Sequence, residues 1–125
     1  MEQLTKTMQR IDHNGKEIYF ADYSKVDMLE LANEIRTNVG WLNENASSLL
    51  DTLFLVDVSD CHVDMEAFKA FQASAKALKA NNKGSAVVGV TGPRKIFMDA
   101  VNRFSSMNTK TFHSREDAIE WLVNL

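Results

Sequence analysis

Apolar residues that do not alternate with polar ones mark two segments of the chain, at 53–56 and 86–90. A strand with this pattern must be covered on both faces, which is typical of the interior of a parallel or mixed sheet. The segment at 53–56 is followed by acids, a hydroxyl, a thiol and an imidazole at 57–64. Because open α/β sheets place their ligand or partner sites at the carboxyl ends of the strands, we expect a site there.

A β-hairpin is predicted over residues 8–23. Asn14-Gly15 is a strong signal for a two-residue turn, since both residues tolerate a positive φ angle. Centring the turn there places Ile11 opposite Ile18, which is a favourable apolar pair across two strands.

Apolar residues at three- and four-residue spacing predict four helices. The first begins near Ser24 and Asp27, which resemble a capping box, and Gly40 should weaken it. Asp64 can cap the second helix, which we expect to end at 81–84. The predicted buried positions are Met28, Leu31, Ile35, Val39, Leu42 and Ala46 in the first helix, Met65, Phe68, Phe71, Ala75 and Leu78 in the second, Ile96, Phe97, Ala100, Val101 and Phe104 in the third, and Ala118, Ile119, Leu122 and Val123 in the fourth.

A turn at 91–93 starts the third predicted helix, and Ser114 with Asp117 caps the fourth. A short alternating segment at 109–112 predicts a strand near a sheet edge. The order of elements is ββαβαβαβα. We therefore expect an α/β fold with a mixed, mostly parallel sheet, an amino-terminal β-hairpin and four helices. The length of 125 residues predicts a single domain spanning 1–125.

Composition and charge narrow the class of protein. The single cysteine, Cys61, excludes an internal disulfide framework and fits a reducing compartment. No apolar run approaches the ~20 residues that span a bilayer, and the amino terminus lacks the apolar core of a signal peptide. The net charge is −3, and no basic patch for nucleic acid stands out. We therefore expect a cytoplasmic protein that has no transmembrane segment and does not bind nucleic acid.

The order of elements and three stretches of sequence resemble the SpoIIAA-like or STAS superfamily, in particular its STAS/SEC14-like branch. The stretches are 53–59 with Asp64 at the next helix start, 86–90, and 112–122. Anti-sigma-factor antagonists typify this superfamily. The resemblance implies the SpoIIAA-like fold and a regulatory or protein-interaction domain that is not an enzyme.

The resemblance also implies that the loop after the central strand and the start of the next helix contact the partner. The candidate residues in this chain are Asp57, Ser59, Asp60, His62, Asp64 and Met65. In the superfamily, a serine directly after an aspartate at that helix start is the phosphorylated switch. Met65 follows Asp64 here and has no hydroxyl, so the usual switch is lacking. Ser59 is the alternative position, although a serine at a strand end is usually a turn former.

The turn into the third predicted helix is a second candidate site. Free N–H groups, the helix dipole and two cations favour an anion there, such as a phosphate or a lipid head group. The residues that would bind it are Thr91, Gly92, Arg94 and Lys95. Because no recognised phosphate-binding motif is present, a helix-starting turn with solvated side chains is the competing interpretation. This site predicts the alternative function, a carrier or sensor of a small lipid-like or anionic ligand.

Residues for enzymatic chemistry do not converge in the sequence. Asp57 and Thr91 at strand ends are typical of a phosphoacceptor receiver, but the acidic pair for Mg²⁺ and the lysine after the last strand are lacking. Cys61 and His62 are adjacent, so their side chains point apart in an extended loop. The other two histidines offer no zinc-ligand spacing. We therefore expect no enzymatic activity, no metal and no cofactor.

The central strand gives a physical argument for a partner. Leu53 and Leu55 should face one side of the sheet, with Phe54, Val56 and Val58 on the other. Leaving one of these two sets exposed to water would cost about 1.5–3 kcal/mol for each large side chain. If most helices lie on one face, as in the superfamily, the other face needs cover. The hairpin, a second copy of the chain or a lipid-like ligand would supply it, so we expect a homodimer or an apolar ligand there.

Overall fold

The computed structural model describes residues 2–78, 82–90 and 109–125. Its strands are β1 (Glu2–Gln3), β2 (Met8–His13), β3 (Lys16–Asp22), β4 (Thr52–Asp57), β5 (Asn82–Val88) and β6 (Thr109–Phe112). Its helices are α1 (Met28–Glu44), a short 3₁₀ helix (Ala46–Ser48), α2 (Met65–Leu78) and α3 (Arg115–Val123). The third helix predicted from the sequence, which starts at 91–93, lies outside the described residues.

The six strands form one sheet in the order β1-β2-β3-β4-β5-β6. β1, β2 and β3 pair antiparallel, whereas β3, β4, β5 and β6 pair parallel to one another. The predicted mixed, mostly parallel sheet is therefore confirmed. The two-residue strand β1 beyond the hairpin was not predicted, because two residues are too few to show a pattern.

The hairpin has the predicted turn and register. Ile11 pairs with Ile18 across β2 and β3. Asn14 and Gly15 adopt φ angles of 51° and 78°, the positive values that a tight two-residue hairpin turn requires. The turn sequence alone was sufficient to set this pairing.

Strand β4 lies inside the sheet, hydrogen-bonded to β3 on one side and β5 on the other. Leu53, Phe54 and Leu55 are all buried, so both faces of the strand are covered. The interior position predicted for 53–56 is confirmed.

Side-chain caps start the three α-helices of the described residues. Asp64 accepts a hydrogen bond from the Ala67 amide at 2.8 Å, and Ser114 accepts one from the Asp117 amide at 3.2 Å, as predicted. The prediction for α1 was wrong in one respect, because its cap is Asp27 and not Ser24. The Ser24 hydroxyl instead donates to Asp22 at 2.6 Å, since that carboxylate is within reach at the end of β3.

Three predicted burial or boundary positions are corrected by the structure. Met28 and Met65 were expected to be buried but are 45% and 62% exposed, because each begins its helix at the rim of the sheet. In α2 the small residues Ala67 and Ala70 face the core instead, which permits close packing.

The segment at 81–84 was expected to end α2, but β5 already begins at Asn82. Pairing with β4 outweighs the low strand propensity of these polar residues.

Helices cover both faces of the sheet. α1 and α2 pack against each other and against the face that carries Phe54 and Val56. α3 packs on the other face, where Leu122 lies among Leu53 and Leu55. The alternation predicted for β4 is confirmed, and α3 supplies the cover that its second face needs. Exposure of the central strand therefore no longer argues for a second copy or a ligand, and the homodimer stays a prediction.

Candidate functional site

Two aspartates end neighbouring parallel strands at the carboxyl edge of the sheet. Asp22 ends β3, Asp57 ends β4, and the two residues are paired in register. Arg115, the first residue of α3, donates from Nε to Asp57 at 2.7 Å and from an Nη atom to Asp22 at 3.0 Å. Its guanidinium also lies over the Phe20 ring, 4.7 Å from the ring centroid. One arginine therefore bridges two strands and covers an aromatic ring.

The environment of Asp22 and Arg115 favours the charged form of each side chain. Asp57 is 4% exposed, so its carboxylate depends on the hydrogen bonds that it receives. Burial raises the pKa of Asp22, but hydrogen bonds from Ser24 and the charge of Arg115 outweigh it, so the pKa lies below its ordinary value. Burial lowers the pKa of Arg115, and the two carboxylates raise it by more, so the pKa lies above its ordinary value. The pKa shifts of Asp22 and Arg115 therefore both favour the ion pair between these two side chains.

Several hydrogen bonds hold the loop at 58–64 in one conformation. The Ser59 amide donates to the Asp57 carboxylate at 2.8 Å, and the Cys61 amide donates to the Val58 carbonyl at 3.1 Å. The Cys61 thiol donates to the Tyr23 carbonyl at 2.9 Å, which ties the loop to the end of β3. Asp60 adopts a φ of 61°, an arrangement that aspartate tolerates better than most residues. The loop is therefore fixed at its base.

Ser59 packs directly on Gly89, just beyond the end of β5. Gly89 has a φ of 89°, and a Cβ atom at this position would collide with the backbone and the hydroxyl of Ser59. A glycine is required here both by the backbone angle and by the close approach. The Ser59 side chain is consequently only partly accessible.

The structure brings the first set of predicted site residues together and sorts them by exposure. Asp57 is buried, Ser59 is partly buried, and Asp60, His62, Asp64 and Met65 are exposed along the loop and the first residue of α2. Next to Met65, Glu66 accepts a hydrogen bond from Arg36 of α1 at 2.7 Å. The second predicted set, Thr91, Gly92, Arg94 and Lys95, lies outside the described residues.

Sequence reasoning missed Arg115 as a member of this edge. A cation in the first turn of a helix is disfavoured by the helix dipole, so it needs an acidic partner. That signal, together with Asp22 and Asp57 at two strand ends, could have indicated the bridge.

Other chemistry finds little support in the described part of the chain. No group of three His, Cys, Asp or Glu side chains there lies close enough to hold a metal ion. The buried Cys61 thiol donates to a carbonyl, whereas His62 is exposed, so the two do not form a nucleophile and base pair. Among the described residues, no helix is long and apolar enough to cross a bilayer.

Comparisons with known proteins identify the fold. No protein-family model and no curated protein sequence matches the chain. An uncharacterised protein of the DUF3478 family with a SpoIIAA-like fold, from Shewanella loihica PV-4, superposes with a TM-score of 0.65 at 13% identity, covering 92% of this chain and 91% of that one. An anti-sigma factor antagonist from Mycobacterium paratuberculosis superposes with a TM-score of 0.53 at 15% identity, covering 94% of this chain and 93% of that one. The chain therefore has the SpoIIAA-like fold that its sequence predicted.

Proposed function

We propose that this chain is a non-enzymatic regulatory domain that binds a protein partner at the carboxyl edge of its sheet. The contact surface would be the loop at 58–64 together with the first residue of α2. The fold that the chain shares with an anti-sigma factor antagonist supports this class of function. The observation that carries the proposal is Met65, an apolar side chain that is 62% exposed at the end of a fixed polar loop.

The physical character of this edge favours protein binding. Methionine is flexible and polarisable, so it adapts to the surface of a partner, and it is enriched at interfaces. Exposed Asp60, His62 and Asp64 precede Met65 in the sequence and supply the polar side chains that interfaces have at their rim. Because hydrogen bonds already fix the base of the loop, binding would cost little conformational entropy.

Regulation would not use a phosphorylated serine at the start of α2, since Met65 takes that position. Ser59 is a poor substitute, because its amide donates to Asp57 and its side chain packs on Gly89. A phosphate there would add negative charge beside the Asp57 carboxylate, and the close contact with Gly89 would restrict where it could lie. We therefore propose that partner binding is controlled by the availability of the partner and not by phosphorylation at either position.

The alternative function, a carrier or sensor of a lipid-like or anionic ligand, stays a prediction. Its residues Thr91, Gly92, Arg94 and Lys95 lie outside the described part of the chain. The absence of enzymatic activity likewise stays a prediction.

The proposal is tested by replacing Met65 with a charged residue. We expect Met65→Glu to weaken partner binding at least tenfold, because a carboxylate would have to be desolvated at the centre of the contact. Tagged wild-type and variant chains are expressed in the organism of origin, and the retained proteins are quantified by mass spectrometry. Since Met65 is exposed, the free energy of unfolding of the variant should lie within about 0.5 kcal/mol of the wild-type value.

Leu50→Glu is the matched control, because Leu50 is 76% exposed at the opposite edge of the sheet. A protein that wild type and Leu50→Glu retain equally, and that Met65→Glu loses, would support the proposal. If every retained protein is held equally by all three chains, the carboxyl edge is not the docking surface.

A further inference from the structure

Three large apolar side chains are exposed at one edge of the sheet. Among the described residues, the large apolar side chains that are exposed are those of Met28, Leu29, Leu50 and Met65. Met28 and Leu29 begin α1, which follows β3, and Met65 begins α2, which follows β4. Because β3 and β4 are parallel and end in register, both helix starts lie at the carboxyl edge of the sheet. We call Met28, Leu29 and Met65 the helix-start surface.

The side of α1 that carries Leu29 borders the loop at 58–64. Arg36 of α1 donates to Glu66 of α2 at 2.7 Å, which identifies the side of α1 that faces α2. Leu29 lies two helical turns before Arg36 and therefore on the same side of the helix. At a rise of about 1.5 Å per residue, Leu29 lies about 10 Å closer to the amino end of α1 than this bridge. At that level α2 has not yet begun, and the loop takes its place.

The loop and α1 are packed together beneath the helix-start surface. Cys61 of the loop and Leu31 of α1 belong to one buried cluster, against which Val26 and Val63 also pack. The Cys61 thiol donates to the Tyr23 carbonyl at 2.9 Å, which ties the loop to the sheet. Because this base is already ordered, a partner that binds the surface would have to immobilise few groups of this chain.

Acidic side chains border the helix-start surface. Residues 57–66 include four acids and no lysine or arginine, and the exposed Lys25 offsets only part of this charge. Asp27, Asp60 and Asp64 are exposed, and no cation in the described part of the chain forms a salt bridge with any of them. Asp27 and Asp64 already accept hydrogen bonds from first-turn amides of α1 and α2, so neither helix start is open to an anion.

We propose that the partner of this edge is a basic protein segment with an apolar anchor, bound across the starts of α1 and α2. This inference rests on the proposed function and adds to it the second helix and the chemistry of the partner. An apolar side chain of the partner would pack on the helix-start surface, and its lysines or arginines would pair with the three bordering aspartates. An acidic protein, a nucleic acid or an anionic membrane would meet charge of its own sign there.

The first experiment tests which residues of the chain the partner touches. The photo-reactive amino acid benzoylphenylalanine replaces Leu29, Met65 or Leu50 in the full chain, which is expressed in the organism of origin and irradiated. Cross-linked proteins and peptides are identified by mass spectrometry. We expect the same protein to be cross-linked from Leu29 and from Met65 but not from Leu50, through a peptide that carries several lysines or arginines.

The other outcomes overturn the inference in distinguishable ways. A protein cross-linked from Met65 but not from Leu29 would leave docking at the loop intact and would remove α1 from the contact. A cross-linked peptide with a net negative charge would exclude a basic partner. If neither residue gives a cross-link that Leu50 does not also give, the proposed function itself is wrong.

The second experiment measures the affinity for the cross-linked protein after its purification. Leu29→Gln should raise the Kd roughly three- to tenfold, because an apolar contact is lost, and the matched control Leu50→Gln should leave it unchanged. Both leucines are largely exposed, so neither variant should unfold. An unchanged Kd in Leu29→Gln would show that α1 is not part of the contact.

Substitution of an aspartate tests the charge of the partner. Asp60→Asn should raise the Kd and weaken its dependence on salt, because one acidic side chain of the contact is neutralised. Asp51→Asn is the matched control, since Asp51 is also exposed and has a similar positive φ, 52° against 61°, but lies at the opposite edge. If neither Asp60→Asn nor a rise from about 0.1 M to about 1 M NaCl changes the Kd, the partner is not held by basic side chains and the proposal is wrong.

Discussion

Arg115 connects residues that are far apart in the sequence. It lies 58 positions from Asp57 and 93 from Asp22, yet it donates to both carboxylates. The Asp57 side chain is 5% exposed, whereas that of Arg115 is 41% exposed. The cost of losing this bridge therefore falls mainly on Asp57, whose charge would be left buried without a counter-charge.

We predict that Arg115→Met destabilises the fold strongly. Breaking a fully buried pair costs ~3–5 kcal/mol, and the exposure of Arg115 reduces this to about 2 kcal/mol. Adding Asp57→Asn to the Arg115→Met variant should recover part of the loss, because a neutral amide needs no counter-charge. Urea unfolding of the four chains of the double-mutant cycle measures both effects.

Arg36→Met is the control for this cycle. Its bridge to Glu66 joins two side chains that are 49% and 61% exposed, so its loss should cost less than about 1 kcal/mol. If Arg115→Met lowers the free energy of unfolding by no more than Arg36→Met does, the bridge from Arg115 to Asp22 and Asp57 does not stabilise the carboxyl edge of the sheet.

Helix α1 shows how one element tolerates an unfavourable residue. The helix runs without interruption from Met28 to Glu44, although Gly40 was expected to weaken it. Buried Leu31, Ile35 and Leu42 hold the helix against the sheet, so packing outweighs the propensity of one residue. Gly40 itself is exposed, and a Cβ atom there would meet nothing within 4 Å.

We predict that Gly40→Ala stabilises the protein by up to about 1 kcal/mol, because alanine loses less backbone entropy in a helix. Thermal unfolding followed by circular dichroism measures the change. Gly15→Ala provides the contrast. A Cβ atom at Gly15 would also meet nothing within 4 Å, but the φ angle there is 78°, which alanine rarely adopts. This substitution should therefore lower the free energy of unfolding by about 1 kcal/mol. Equal effects of the two substitutions would contradict this account.

Helix α3 packs on one face of the sheet and is bonded to the rest of the molecule at both ends. Arg115 anchors the first residue of this helix, and the Lys16 ammonium bonds to the carbonyl of its last residue, Val123. Between these anchors, Ala118 and Leu122 are fully buried on the central strands. A helix of nine residues is too short to be stable alone, so its two ends and its apolar face are stabilised by the sheet.

We predict that acid weakens the whole fold partly through Asp22. The pKa of Asp22 is lower in the folded protein than in the unfolded chain, where aspartate titrates near ~3.9. The ionised carboxylate therefore stabilises the fold above about pH 4, and this contribution is lost as the pH falls through the folded-state pKa. Asp22→Asn lacks this titration, so the difference in free energy of unfolding between wild type and variant should narrow between about pH 6 and pH 3. A difference that stays constant over this range would refute the assignment.

Much of the fold could be predicted because its signals are local. Asn14-Gly15 sets the hairpin and its register, Asp64 and Ser114 set two helix starts, and the unbroken apolar run at 53–56 sets the interior strand. Each of these depends on the backbone preferences and polarity of a few neighbouring residues. The sequence by itself therefore determined the kinds of elements, most of their order and the SpoIIAA-like fold.

Other features were decided only by the tertiary structure. The rotation that leaves Met65 outside while Ala67 packs inside follows from the approach of α2 to α1, and no local pattern contains it. The bridge from Arg115 to Asp22 and Asp57 arises where segments distant in sequence meet. Burial and ion pairing depend on which surfaces come together in space, so they become defined only when the elements have packed.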